Sequence, residues 1–462
     1  MTVARVIVRK CEEYDPETIE RIVGEGLRHL GCLPKGNVFV KPNVVLALRD
    51  NRFGKHAYTH KSVVAATLSS LTKQPDVKRI DLGEKSAVGF PTRMNYRHTG
   101  YAEEIARLRK GARMPVRLLC MDEELRDSVF VGGLVHDTLR VSRSLARADY
   151  KVYLPKLKCH CMSNMTGAVK LNVGICCDDE RSVRHDFLID EKIVDLLSIG
   201  YPDFVVMDAI EVGVGNEAMP YPRKLGLILM ATNPLAIDLV GARLLGFERD
   251  DVPYLKAAVN RGYAPASLTE VSIEGDLHSV SDLDEQAKRL LPYDAEYCSW
   301  RDVDTELRRL NSPMRFYWGP YNEGGEKCAG GCVMGLKMFL ATAERYAGVE
   351  AFATAKPVTF VVGKIDEEID GRGGEVFLVG SCARAKVAGA KKVIRIDKCF
   401  TTASDLTLQI GGRLGMPALT KNPEMMFEFV TQIARAAFQK IFSGRYFQDI
   451  GQFVGKKLQR RI

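Results

Sequence analysis

Leu225-Gly226-Leu227-Ile228-Leu229-Met230-Ala231-Thr232-Asn233-Pro234-Leu235-Ala236-Ile237-Asp238-Leu239 sets out the fold in one stretch. Its first part is an unbroken apolar run of strand length, without the alternation of a strand that has one wet face. Such a run reads as a strand buried on both faces. Asn233 then offers a capping oxygen and Pro234 the fixed φ of a first helical turn, so a helix is predicted over 235–245. A doubly buried strand leading straight into a helix is the repeating unit of a parallel sheet covered by helices.

The same alternation runs through residues 1–275. Strands are predicted at 6–9, 37–40, 77–82, 116–120, 150–154, 204–207 and 225–230, and helices at 17–30, 60–73, 102–110, 235–245 and 252–260. Asp15-Pro16-Glu17 is a helix start, and 129–141 reads as a hairpin around Gly132-Gly133. Residues 276–325 are polar, with helical character at 284–291 and 300–310, and read as a connection. A second, smaller α/β unit is predicted over 326–422, with a helix at 331–346, strands at 358–362, 376–379 and 392–396, and a helix at 403–414. Residues 423–462 read as a long apolar helix over 424–442 and a basic tail, Gly455-Lys456-Lys457-Leu458-Gln459-Arg460-Arg461-Ile462, taken as a solvated terminus. The fold class is therefore α/β, a mostly parallel sheet covered by helices with a smaller cysteine-bearing α/β unit.

The chain has 462 residues, 46% hydrophobic and 27% charged, enough to bury a large core without disulfides. That balance excludes disorder, collagen and coiled coil. No apolar run approaches the roughly 18–20 residues of a membrane span. Residues 1–10 alternate like a strand rather than forming a signal peptide's apolar block, so a cytoplasmic location is expected. The net charge of +8 is mild, and the aromatic residues do not interleave with a basic patch, so no nucleic-acid partner is expected. A local site for an anion is. Gly213-Val214-Gly215-Asn216 is a lone G-x-G, and the phosphate-loop, H-E-x-x-H and G-x-S-x-G motifs are absent.

Four of the twelve cysteines, Cys328, Cys332, Cys382 and Cys399, fall in the smaller unit. Cys382 and Cys399 each follow a predicted strand, so both thiols emerge at one edge of a parallel sheet. Cys328 and Cys332 flank two glycines at the start of a helix, whose positive end favours thiolates. Four thiolates from three loops fit a [4Fe–4S] cluster or a tetrahedral zinc. Zinc usually takes two close-spaced pairs, and here there is one pair and two single residues, so the cluster is the preferred reading. The ferredoxin run and the radical-SAM triplet are both absent. Cys11, Cys32, Cys120 and Cys298 read as packing. Cys159-His160-Cys161 and Cys176-Cys177-Asp178-Asp179 carry soft-metal ligand types, but neighbours on a strand point to opposite faces and cannot chelate unless the strand has ended.

The densest polar stretch runs from Tyr153 to Gly174. A strand is predicted to run out into a loop carrying Lys156, Lys158 and His160, followed by a helix start at Thr166-Gly167, with Lys170 and Asn172 about one turn on. Lys41-Pro42-Asn43 is a second strand end of the same chemistry. Asp208 follows the 204–207 strand, and His185 lies in Arg184-His185-Asp186. Cationic and amide groups at strand carboxyl ends beside a helix start make a cradle for a carboxylate or phosphate.

Lys41-Pro42-Asn43, the segment from Pro155-Lys156-Leu157-Lys158 through His160 to Thr166-Gly167-Ala168-Val169-Lys170, Asp208, and Ala231-Thr232-Asn233-Pro234-Leu235-Ala236-Ile237-Asp238 with Leu244-Leu245-Gly246 resemble domain-of-unknown-function family 362. The resemblance covers about residues 1–275. Some of its members are labelled uncharacterised iron–sulfur centre proteins, and many carry a ferredoxin-like insert or tail. Here the dispersed four-cysteine unit stands in place of that insert and is loosely similar to the proximal-cluster fold of hydrogenase small subunits. The sequence departs from the family at Leu171, where Lys-Asn would be adjacent, and at Cys159 and Cys161, where small hydroxyl residues are commoner.

The leading expectation is an iron–sulfur oxidoreductase of anaerobic type. A small anionic substrate would be held by Lys41, Asn43, Lys156, Lys158, Thr166, Lys170, Asn172 and Asp208, with His160 or His185 as proton donor. A [4Fe–4S] cluster on Cys328, Cys332, Cys382 and Cys399 would supply electrons from a donor such as a ferredoxin. Zinc is the alternative metal, and self-association is left open. A binding, scaffold or sensor protein without turnover, and a Mg-dependent transferase or ligase using Asp208 or Asp238, are the competing readings. The four sulfurs are expected to converge, the lysines to line one cleft as solvated side chains, and the second unit to fold back with the 328–332 loop facing the 156–160 segment.

Overall fold

The computed structural model describes residues 3–49, 56–215, 217–290, 300, 302–328 and 330–459, the last seven by backbone alone. Cys298 and the side chains of the basic tail lie outside these residues. The large sheet runs, edge to edge, Val271–Gly275, Ala4–Lys10, Tyr221–Ala231, Phe204–Val214, Tyr150–Leu154, Gly36–Pro42, Val77–Glu84 and Val116–Cys120. Along this path only Tyr221–Ala231 runs against its neighbours. The connection from Phe204–Val214 is too short for a crossover, so the two strands can pair only antiparallel.

Helices Pro16–His29, Lys61–Thr72 and Tyr101–Arg109 cover one face, and Ile189–Gly200, Pro234–Leu244 and Pro253–Asn260 the other, each over its own apolar layer. The predicted caps form. Asp15 Oδ2 accepts from the Thr18 N–H at 2.8 Å, and Asn233 Oδ1 accepts from the Leu235 and Ala236 N–H groups at 2.9 and 3.0 Å. The apolar run that set the fold is fully buried at Leu229 and Met230. Each such side chain contributes about 1.5–3 kcal/mol.

Two differences from the sequence reading matter for the site. Phe204–Val214 is longer than the predicted strand, because an irregularity between Ala209 and Glu211 restores its pairing with Tyr221–Ala231. Asp208 is therefore within the strand rather than after it. Lys156–His160 is a further strand, not a loop. Pro155 interrupts the Tyr150–Leu154 ladder, and the chain then pairs Lys156 with Asp208 and Lys158 with Gly213.

The smaller sheet is parallel, in the order Arg315–Trp318, Val358–Val362, Glu375–Val379 and Lys392–Ile396. The stretch read as a connection divides between the two units. Leu283 and Leu290 join the core of the large sheet, whereas Trp300, Val303, Leu307 and Met314 join that of the small one. After helix Pro423–Phe442, the chain turns at Ser443-Gly444 into a second helix, Arg445–Gln459, where only a tail was expected. The units meet through a mixed apolar cluster: Leu46, Leu48 and Met94 pack with Met338, Leu419, Met425 and Phe429.

Candidate functional site

In a doubly wound sheet the carboxyl ends of the strands open on one crevice. Here the loops after Gly36–Pro42, Val77–Glu84 and Tyr150–Leu154 form the floor of a cavity of about 270 Å³. Its roof is the second unit, through helices Gly331–Ala347, Ala403–Gln409 and Pro423–Phe442. The second unit thus closes over the mouth of the first, as expected.

Of the predicted ligand-binding residues, Asn43, Lys156, Thr166 and Lys170 line this cavity, together with His160 and His185. Lys41, Lys158, Asn172 and Asp208 form a polar layer outside the lining. The expectation of solvated lysines is corrected. Lys41, Lys156 and Lys158 are at most 1% exposed. Lys41 Nζ pairs with Glu84 Oε1 at 2.5 Å; burial pushes the lysine down and the carboxyl up, and each partner opposes the other's shift. Lys156 pairs with Asp208 at 3.0 Å, and Tyr14 bridges them through its hydroxyl at 2.8 and 3.0 Å. Lys158 donates to the carbonyls of Ala57 and Glu217, both at 2.7 Å, and burial brings it down to about 7. Asn172 accepts from the Tyr153 hydroxyl at 2.8 Å and supports the 310 turn Lys170–Ile175. Asp238 accepts from the Ala168 and Val169 N–H groups at 2.6 and 3.0 Å. Asp208 and Asp238 are therefore engaged inside the fold, which removes the open carboxylate needed by the magnesium reading.

Sequence reasoning missed several lining groups: Glu84, Lys85, Ser86, Arg181 and Glu217. Lys85 follows the Val77–Glu84 strand just as Asn43 follows Gly36–Pro42, and that parallel was a usable signal. Arg181 gave none, because it sits after three acidic residues. Its guanidinium donates to the carbonyls of Ser86, Lys85 and Cys176 at 2.6, 2.8 and 3.2 Å, and its Nε is left without a partner. Asn43 Oδ1, Ser86 Oγ and His185 Nδ1 are likewise buried and unpartnered on the same wall. This end of the cavity is cationic and under-satisfied. The remainder is apolar, lined by Leu46, Leu48, Met94, Met338, Met425 and Phe429.

His160, Cys161 and Glu217 bring their ligand atoms within 4.8 Å of one another. This is possible because the strand ends at His160. The hydrogen bonds argue against a metal there. His160 Nδ1 accepts from the N–H groups of Met162 and Ser163 at 3.1 and 3.4 Å, so the proton of the neutral ring is assigned to Nε2, 3.4 Å from Glu217 Oε1. A metal on Nε2 would have to displace that proton. Glu217 also accepts from the Cys161 N–H at 3.2 Å. Burial, then Lys170 and Lys158, hold His160 well below the usual histidine range. Cys159 packs in the core, as do Cys176 and Cys177 in their own surroundings.

The four cysteines of the second unit sit at element ends, as their sequence positions suggested. Cys382 follows Glu375–Val379, Cys399 follows Lys392–Ile396, and Cys332 lies in the first turn of Gly331–Ala347. Burial, then Asp186 and the neighbouring cysteines, push Cys328 up to about 12, and burial likewise raises Cys332 and Cys399. Cys332 Sγ accepts from the Thr401 N–H at 3.3 Å. Gly380, at φ 101°, leaves room for it: a Cβ there would stand 2.8 Å from that sulfur.

The cysteine loops touch the first unit at Arg184-His185-Asp186-Phe187 rather than at the Lys156–His160 strand. Phe187 stacks on Tyr321 with centroids 4.5 Å apart, and a Cβ on Gly330 would meet the Asp186 carbonyl oxygen at 2.3 Å. His185 stacks on Phe400, and both line the cavity.

The fold and site define an α/β protein with a cationic crevice at its strand ends, roofed by a four-cysteine unit. The family model of the domain of unknown function DUF362 matches residues 38–243, within the first unit. A thylakoid-associated protein of Synechocystis sp. is 27% identical over 241 residues, covering 51% of this chain and 70% of that protein. Among solved structures, the lactate racemase apoprotein from Thermoanaerobacterium thermosaccharolyticum aligns at TM-score 0.31 and 12% identity, over 45% of this chain and 50% of that one. A protein from Thermotoga maritima aligns at TM-score 0.28 and 11% identity, over 57% and 61%. The chain thus spans half to about three fifths of these solved structures.

Proposed function

We propose that this chain is an iron–sulfur redox protein whose ligand is an anion with an apolar body, held between the two units. The observation that carries this reading is adjacency: Cys399 is followed directly by Phe400, which lines the cavity. Cys328, Cys332, Cys382 and Cys399 would hold a [4Fe–4S] cluster, preferred over zinc because the sequence offers one close-spaced pair and two single residues. Such a cluster, when bound, supplies single electrons.

The chain's own residues account for the rest. Lys170 and Arg181 attract the anionic end, in a site where burial strengthens each charge. Asn43, Ser86 and His185 offer the polar atoms that lack partners within the protein. The methionines of Gly331–Ala347 and Pro423–Phe442 adapt to an apolar body. His160 keeps one proton at Nε2, directed at Glu217, on the cavity wall.

The test is an anaerobic titration of the reduced protein followed by electron paramagnetic resonance, with octanoate or acetate added. The reading expects a cluster signal that octanoate perturbs and acetate leaves alone. A cluster signal indifferent to bound octanoate would separate the cysteines from the cavity and overturn it.

A further inference from the structure

Helix Pro423–Phe442 has two unlike faces. Met425, Met426 and Phe429 line the cavity. Phe427, Val430, Phe438, Ile441 and Phe442 face out, with Phe427 72%, Phe438 62% and Phe442 70% exposed. At about 100° per residue these five positions fall on one stripe.

The following helix, Arg445–Gln459, is inverted over its first two turns for a protein in water: the polar side chains there face inward. Arg445 donates to the Glu124 carbonyl at 2.9 Å, Gln448 exchanges two hydrogen bonds with the backbone of Arg126 at 2.9 and 2.7 Å, and Asp449 pairs with the Arg126 guanidinium at 2.6 Å. Tyr446, Phe447 and Ile450 are left outside, Phe447 at 64% exposure. Phe438 lies against Phe442 and Tyr446 against Phe447, and exposed aromatic surface of this kind marks a docking face.

Charge selects the occupant. The acidic residues of 423–459 are spent within the chain, Glu424 on Arg49, Glu428 on Arg97 and Asp449 on Arg445. Arg435 stands exposed on the first helix, and Lys456, Lys457, Arg460 and Arg461 follow in the sequence. A second copy would set these cations against their own kind, whereas an anionic lipid surface neutralises them. No described helix is long and apolar enough to cross a membrane.

We propose that this helix pair lies on an anionic lipid surface, with Phe438, Phe442 and Phe447 at headgroup depth and the basic residues on lipid phosphates. The inference goes beyond the redox reading and does not depend on it. One helix would then carry a lipid-facing side and a cavity-lining side.

The test is flotation of the full chain with vesicles of phosphatidylcholine alone or with about one third phosphatidylglycerol. The chain should float with the anionic vesicles and not with the neutral ones. The Phe438→Ser/Phe442→Ser/Phe447→Ser variant, altered only at exposed positions and checked for an unchanged melting curve, should bind at least about tenfold more weakly. Three results would overturn the proposal: no flotation of the unaltered chain with anionic vesicles, equal flotation of the variant, or a dimer by light scattering that the variant dissolves, which would assign the face to a second copy.

Discussion

The imidazole of His185 lies on the ring of Phe400, centroids 4.6 Å apart and planes 22° from parallel. His185 belongs to the large unit and Phe400 to the small one, next to Cys399, so this contact joins the crevice to the cysteine edge. Phe400 is buried. Phe400→Ala should lower stability by about 3–5 kcal/mol, as emptied aromatic sites do. The denaturant midpoint measures it, and a loss under about 1 kcal/mol would mean that the ring is not a structural joint.

The buried Lys41–Glu84 pair makes a second prediction. Lys41→Met removes the ammonium that offsets the burial of Glu84 and leaves it only the Val44 and Lys85 N–H donors, which costs about 3–5 kcal/mol. Adding Glu84→Gln should restore most of that loss, because a neutral pair carries no unpaired charge. Equal stability of the single and double variants in urea would contradict the pairing.

Gly380 makes a third. Its φ of 101° and the closeness of Cys332 Sγ leave no room for a side chain. Gly380→Ala should displace that sulfur and lower the metal bound per chain, whereas Gly373→Ala, at an open turn with nothing within 4 Å of its Cβ position, should not. The metal-to-protein ratio of the two variants decides it.

The pH dependence of stability follows from His160. Its folded pKa lies well below 6.5, chiefly through burial. Above pH 6.5 the ring is neutral whether folded or unfolded and contributes no slope. Below it the unfolded chain takes up a proton that the folded chain refuses, so stability falls as pH drops, by up to about 1.4 kcal/mol per pH unit. His160→Gln should lose less stability than the parent between pH 7.5 and 5. An unchanged slope in urea melts would place the uptake elsewhere.

The layered fold was legible because doubly buried strands such as 225–230 have no polar alternation and capped helices such as Pro234–Leu244 announce their first turn. Strand-end logic also placed Cys382 and Cys399 at one edge. It failed for Lys158 and Asp208, because a bulge after Ala209 and the break at Pro155 lengthen the sheet where the local sequence signals an end. Nor did charge alone distinguish a solvated lysine from one buried against Asp208. Arg181 and the methionines of Pro423–Phe442 reach the cavity only through contacts distant in sequence, which periodicity does not report.

The central claim is that Cys328, Cys332, Cys382 and Cys399 together hold a four-iron cluster. Iron, acid-labile sulfide and zinc, quantified on one anaerobically purified sample of the full chain, test it most directly. The account predicts about four irons and four sulfides per chain with negligible zinc, lost together in Cys382→Ala. About one zinc per chain without sulfide, or iron retained in full by Cys382→Ala, would contradict it.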